Sequence, residues 1–113
     1  MDKFTSAYIE CALWSTTDNS DDSGGEPLDK NYNAGDLAPE TVNKITDDCA
    51  KFQAQAGETC AQAGHDFWLT RNGHGAGFWD GDWPERGDEL TELSKKFGEV
   101  DLYVGDDGKI YQS

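Results

Sequence analysis

Val42, Ile45, Cys49, Phe52, Ala56 and Cys60 recur at spacings of 3, 4, 3, 4 and 4. An apolar stripe of this period has one simple solution, a long helix with one buried face. The spacing predicts a helix over 39–61. Pro39 suits the first turn, where its missing N–H costs nothing, and Glu40 suits the positive end of the helix dipole. Asn43, Lys44, Asp47, Asp48 and Lys51 read as the opposite, solvated face. Gly57 weakens the last turns by about 1 kcal/mol relative to Ala and marks a point where the helix can stop early.

Around this helix the chain reads as α+β. Phe4, Tyr8, Cys11 and Ala12 predict a short helix over 4–15, with Ile9 and Trp14 at its margins. Residues 16–26 are almost wholly polar and read as a mobile acidic loop. Residues 65–71 (His-Asp-Phe-Trp-Leu-Thr-Arg) have strand composition, and Asn72-Gly73 is a hairpin turn signal, so 75–80 reads as the partner strand. Asp88 to Phe97 reads as a helix with Leu90, Leu93 and Phe97 on one face and Gly98 as its stop. Residues 101–104 and 109–112 flank Gly105-Asp106-Asp107-Gly108 as a closing hairpin. The expected architecture is a single domain over 1–113. It has a small antiparallel sheet of three or four strands (two hairpins) packed against the long helix, with two shorter helices.

Composition limits the core and points outward. Only 35% of the chain is hydrophobic, but four Trp, four Tyr and five Phe supply large apolar surfaces, so the core should be small and rich in rings. Cys11, Cys49 and Cys60 form no CxxC pair and read as buried free thiols. The start of the chain lacks the apolar run of a signal peptide, and no stretch approaches a membrane span. These readings make a soluble cytoplasmic protein the expectation. Twenty-three acids stand against nine Lys and Arg, a formal charge of -14. Such a surface repels phosphate backbones and anionic membranes and attracts cationic grooves, of which nucleic-acid-binding proteins hold the largest. Direct nucleic-acid or membrane binding is disfavoured. A DNA-mimicking role against a DNA-binding or DNA-processing protein is favoured.

Acids beside ordered elements are the better candidates for such a role, because a mobile loop pays ordering entropy on binding. Asp80, Asp82, Glu85, Asp88, Glu89 and Glu92 form that set, with Asp47 and Asp48 on the long helix as additions and Trp83 as an aromatic anchor. A second constellation, His65, Asp66, Arg71, Asn72 and His74 on the first hairpin, would suit acid–base or metal chemistry if a pocket joined it. No HExxH, nucleophile elbow or phosphate loop accompanies it. An EF-hand reading from Asp80 fails, with Thr91 where the final Glu belongs. The expectation is a non-enzymatic protein that needs no cofactor and no metal. The alternatives are a small enzyme or metal-dependent factor on the His65–His74 hairpin, or an accessory or assembly protein whose acidity serves only solubility.

Residues 63–80, the run Leu102-Tyr103-Val104-Gly105-Asp106-Asp107-Gly108-Lys109-Ile110-Tyr111, the group Tyr8, Ile9, Leu13 and Trp14, and Leu37-Ala38-Pro39-Glu40-Thr41 together carry a resemblance. They are similar to a family of small acidic proteins of tailed bacteriophages and related mobile elements. The resemblance covers most of the chain outside 16–26. It implies a phage gene product in a bacterial cytoplasm, aimed at a host protein such as a nuclease, restriction system or nucleoid protein. It transfers no catalytic residue.

Overall fold

A computed structural model describes residues 1–18, 26–30, 32–73, 77–78 and 83–113. Helix α1 spans Lys3–Ser15. The Asp2 side chain caps it, accepting from the Thr5 N–H at 2.8 Å. Hydrogen bonds from Thr5, its side chain first and its N–H second, hold the Asp2 carboxyl below its ordinary value. Strands β1 (Thr17–Asp18) and β2 (Glu26–Pro27) pair antiparallel. The ends of the expected acidic loop are therefore tied together, and residues 19–25 lie outside the described residues. Two short 3-10 turns, Leu28–Lys30 and Ala34–Asp36, lead into helix α2, Pro39–Ala56.

Helix α2 starts at Pro39 as expected but ends before the predicted limit of 61. Gly57 takes φ 73° and its N–H returns to the Gln53 carbonyl at 2.8 Å, closing the helix in the left-handed conformation glycine favours. Cys60 then sits at the N-terminal cap of helix α3, Ala61–Arg71, instead of at the end of the α2 stripe. Helix α3 is the main correction to the expected fold. Residues 65–71 are helical, not a strand. Asn72-Gly73 is the helix stop, with the Gly73 N–H donating to the Thr70 carbonyl at 3.2 Å. Of the expected partner strand, Gly75, Ala76, Trp79 and Asp80 lie outside the described residues, while Gly77 and Phe78 form a bend and turn.

Tertiary packing makes 61–71 helical despite its β-prone residues. Ala63, Gly64 and every residue from Asp66 to Arg71 are buried. A helix buried on nearly all sides shows no polar face, so its period is invisible in the sequence. Gly64 lets α3 cross α1 at close range, since a Cβ there would overlap the Phe4 carbonyl oxygen. The Tyr8 ring meets Phe67 at 5.4 Å and the edge of Trp68 at 5.4 Å. Trp68 Nε1 donates to Ser15 Oγ at 2.7 Å. The ring-rich core continues through Phe52, stacked on Phe67 at 4.2 Å and on Phe78 at 5.8 Å.

Helix α4 spans Gly87–Lys96, with Asp88 and Glu89 in its first turn and Lys95 and Lys96 in its last, matching the helix dipole at both ends. Leu90 and Ser94 bury its inner face. Strands β3 (Leu102–Val104) and β4 (Ile110–Gln112) form the closing hairpin, in the register Tyr103↔Tyr111. The hairpin docks on the start of α2. The Ile110 carbonyl accepts from the Ala38 N–H at 2.9 Å and from Thr41 Oγ1 at 3.0 Å. The mixed α+β character holds. Among the described residues the strands form two separate two-stranded sheets and not one sheet of three or four. No helix among the described residues is long and apolar enough to cross a membrane.

Candidate functional site

The residues expected to share one polar site separate into two clusters with different partners. Arg71 points inward. Its Nη1 donates to Tyr8 Oη at 3.1 Å and to Asp48 Oδ2 at 3.0 Å, Nε donates to the Gly98 carbonyl at 2.9 Å, and Nη2 to the Phe97 carbonyl at 2.9 Å. The guanidinium also lies over the Phe67 ring at 5.2 Å. Asp48 accepts from Lys44 Nζ on its other oxygen at 3.0 Å. This cluster ties α1, α2, α3 and the end of α4 to one another. Burial raises the Tyr8 hydroxyl above its ordinary value, so it stays protonated beside the charged pair.

Asp48 is therefore corrected. It is buried and paired, and it is not available to a partner. Its spacing from Ile45 and Phe52, three and four residues, was the signal that places it on the inner face of α2. Asp47 is exposed and paired with Lys51 at 2.9 Å.

The second cluster surrounds Asp66, which is 1% exposed. Its Oδ2 accepts from Trp83 Nε1 at 2.8 Å, and its Oδ1 accepts from Gln62 Nε2 at 3.0 Å. His65 Nδ1 lies 3.0 Å from the same Oδ1. A carboxylate oxygen only accepts, so this contact is a hydrogen bond in the tautomer that carries its proton on Nδ1. Such a pair can orient an imidazole for proton transfer. Arg71 and Asn72 do not join it. Asn72 instead bridges Trp68 and Val100, donating to the first carbonyl at 3.0 Å and accepting from the second N–H at 2.8 Å. His74 lies outside the described residues, and no group of three or more His, Cys, Asp or Glu that could hold a metal occurs among the described ones.

Trp83 is half-buried, bonded to Asp66 and set edge-on to Phe78 at 5.5 Å. It fastens the segment before α4 onto α3. Glu85, Asp88, Glu89 and Glu92 follow it and are all exposed. Arg86 pairs with Glu89 at 3.0 Å and with Glu58 at 2.6 Å, bracing this segment on the α2–α3 turn. Among the described residues Glu85, Asp88 and Glu92 have no ion-pair partner. Asp80 and Asp82 lie outside the described residues.

No family model, curated protein or solved structure matches this chain. The site stands on its own geometry.

Two exposed aromatics, and a half-buried third stacked on one of them, were missed. Trp14 is 60% and Tyr103 51% exposed, and Tyr111 stacks on Tyr103 at 5.8 Å. The period-two alternation of Leu102-Tyr103-Val104 and Ile110-Tyr111 was the available signal, since it puts both tyrosines on the face away from the core. A groove of about 430 Å³ also lies between α1 and the residues Asp29, Tyr32, Asn33 and Ala34, lined by the buried Ile9 and Leu13 and by the exposed Glu10 and Asp29.

Proposed function

We propose that this chain is a non-enzymatic acidic binding protein whose α4 face occupies the cationic groove of a nucleic-acid-binding protein in place of nucleic acid. The observation that carries the reading is the row Glu85, Asp88 and Glu92, exposed on a helix end that Trp83 and Arg86 hold to the core. Asp88 and Glu92 lie on α4 and stand about 6 Å apart along its axis, at about 1.5 Å of rise per residue, while Glu85 precedes the helix. One DNA strand carries a phosphate about every 3.4 Å of its axis. The row has the same sign as a phosphate backbone, and its scaffold is already ordered, so binding does not bear the entropy of fixing a loop. The net charge of -14 adds long-range attraction to any cationic groove.

The mechanism is competition. The carboxylates accept the Lys and Arg donors that would otherwise meet phosphate, and the bulk of the domain blocks the groove. A phage product acting on a host DNA-binding or DNA-processing protein in a bacterial cytoplasm is the setting this proposal includes.

The test is affinity capture of the tagged chain from bacterial lysate at low and high salt, read by mass spectrometry. It is run beside the variant carrying E85Q, D88N and E92Q. The expected result is a nucleic-acid-binding partner that washes off with salt and that the variant, folded by circular dichroism, loses. Equal capture by the variant would place the contact elsewhere. Absence of any salt-sensitive nucleic-acid-binding partner would overturn the function.

A further inference from the structure

The closing hairpin has an unused edge. The Gly105 N–H donates to the Lys109 carbonyl at 2.8 Å and the Ser113 N–H to the Asp101 carbonyl at 2.9 Å. These bonds mark 101/113 and 105/109 as hydrogen-bonded pairs, with Tyr103/Tyr111 as the pair between them. The N–H and C=O groups of Leu102 and Val104 consequently point away from β4. On the far side of β4 the Ile110 carbonyl is already taken by Ala38 and Thr41. Among the described residues nothing pairs with the outer edge of β3. Val104 is half-buried and Leu102 5% exposed, so Val104 presents the more accessible of these unpaired groups, and unpaired edge groups of this kind accept an added strand.

The outer face beside that edge is built and acidic. Tyr103 and Tyr111 lie stacked with 22° between their planes. Tyr111 Oη donates to Asp107 Oδ2 at 2.6 Å, and Asp107 Oδ1 also accepts from the Lys109 N–H at 3.0 Å. Gly105 makes room for the ring, since a Cβ there would come 2.6 Å from Tyr111 Cε2. Asp101 and Tyr103 share the outer face by alternation, and both are exposed.

We propose that the open edge of β3 takes an extended basic segment of a partner protein, with cationic residues at alternating positions. The main chain of that segment would bond to Leu102 and Val104. One cationic side chain would lie over the Tyr103 ring, and the next on the same face would reach Asp101. Charge decides between this occupant and a second copy of the chain. Self-pairing along β3 would bring Asp101, Asp106 and Asp107 of two strongly acidic molecules together, and like charges across a strand pair are destabilising. This surface is separate from α4 and stands whether or not α4 binds a groove.

The probe is a short synthetic peptide alternating Arg and Thr, titrated onto the isotope-labelled full chain by heteronuclear NMR. A counterpart with every Arg replaced by Gln serves as the comparison. The Arg peptide should shift the amides of Leu102 and Val104 and slow their hydrogen exchange, and the Gln peptide should bind at least about tenfold more weakly. Val104→Pro removes an outward N–H without removing a β3–β4 bond, which edge strands tolerate, and should abolish the effect. Tyr103→Thr, at an exposed position, should weaken the Arg peptide at least about threefold. The E85Q, D88N, E92Q variant should keep the β3 shifts, which separates this surface from the α4 reading. Equal binding of the Gln peptide, unchanged binding by Tyr103→Thr or by folded Val104→Pro, shifts confined to α4, or self-association through β3 would each overturn the proposal.

Discussion

Arg71 and Asp48 meet at 3.0 Å in the interior, with side chains 1% and 5% exposed. They lie 23 residues apart on α3 and α2, and Arg71 spends its remaining donors on Tyr8 and on the carbonyls that end α4. A charge placed there without its partner is costly, because both side chains are withdrawn from solvent and the interior responds weakly. The pair thus holds the helices in one arrangement more than it adds to their net stability.

Replacing one member should therefore cost far more than replacing both. Asp48→Ala leaves Arg71 buried and uncompensated, and about 3–5 kcal/mol of stability should be lost. Asp48→Leu combined with Arg71→Met should recover much of that loss. Urea unfolding of Asp48→Leu, Arg71→Met and the double variant, treated as a cycle, measures the coupling.

Gly64→Ala should destabilise although Ala is the better helix former by about 1 kcal/mol. The added methyl overlaps the Phe4 carbonyl, a backbone atom that cannot rotate away. The helices must separate, at a net cost of about 1–3 kcal/mol. A lowered Tm for Gly64→Ala, where propensity alone would raise it, checks this; Ala54→Gly, exposed on α2, gives the size of the propensity effect by itself, about 1 kcal/mol.

Trp83→Phe keeps the ring but removes the N–H that Asp66 Oδ2 accepts at 2.8 Å. A buried carboxyl oxygen left without its donor should cost about 1–3 kcal/mol. The segment carrying Glu85 should also loosen. Hydrogen exchange along 83–87 should quicken more than exchange in α1.

Burial pushes the thiols of Cys11 and Cys49 up to about 12, from an ordinary value of 9.0. A folded-state value above the unfolded one means the native state holds protons that the unfolded chain releases. This contribution is intact below about pH 9 and is lost as pH rises towards 12. Stability measured by urea titration should fall across that alkaline window. A thiol reagent at neutral pH should modify half-buried Cys60 quickly, and Cys11 and Cys49 only at the rate of opening. Fast modification of all three without denaturant would contradict the core described here.

The helix of 4–15, the helix near 88–97 and the closing hairpin were legible because each has one wet and one dry face. Period then reports structure directly: Leu90 and Ser94 face in, Asp88 and Glu92 face out, and Tyr103 and Tyr111 alternate with Leu102 and Ile110. The acidic face of α4 was legible for the same reason. Asp48 was legible in spacing but not in chemistry, since a carboxylate on an inner face makes sense only once Arg71 arrives from another helix.

What the amino-acid order determined by itself was the charge, the ring-rich core and every element with a single buried face. The tertiary structure alone decided the state of residues 61–71. Phe67, Trp68 and Thr70 favour strands locally, but burial on nearly all sides, the Gly64 crossing and the Arg71 bonds to distant carbonyls make the helix the lower-energy choice. Those energies come from residues far along the chain, and no local window of sequence contains them.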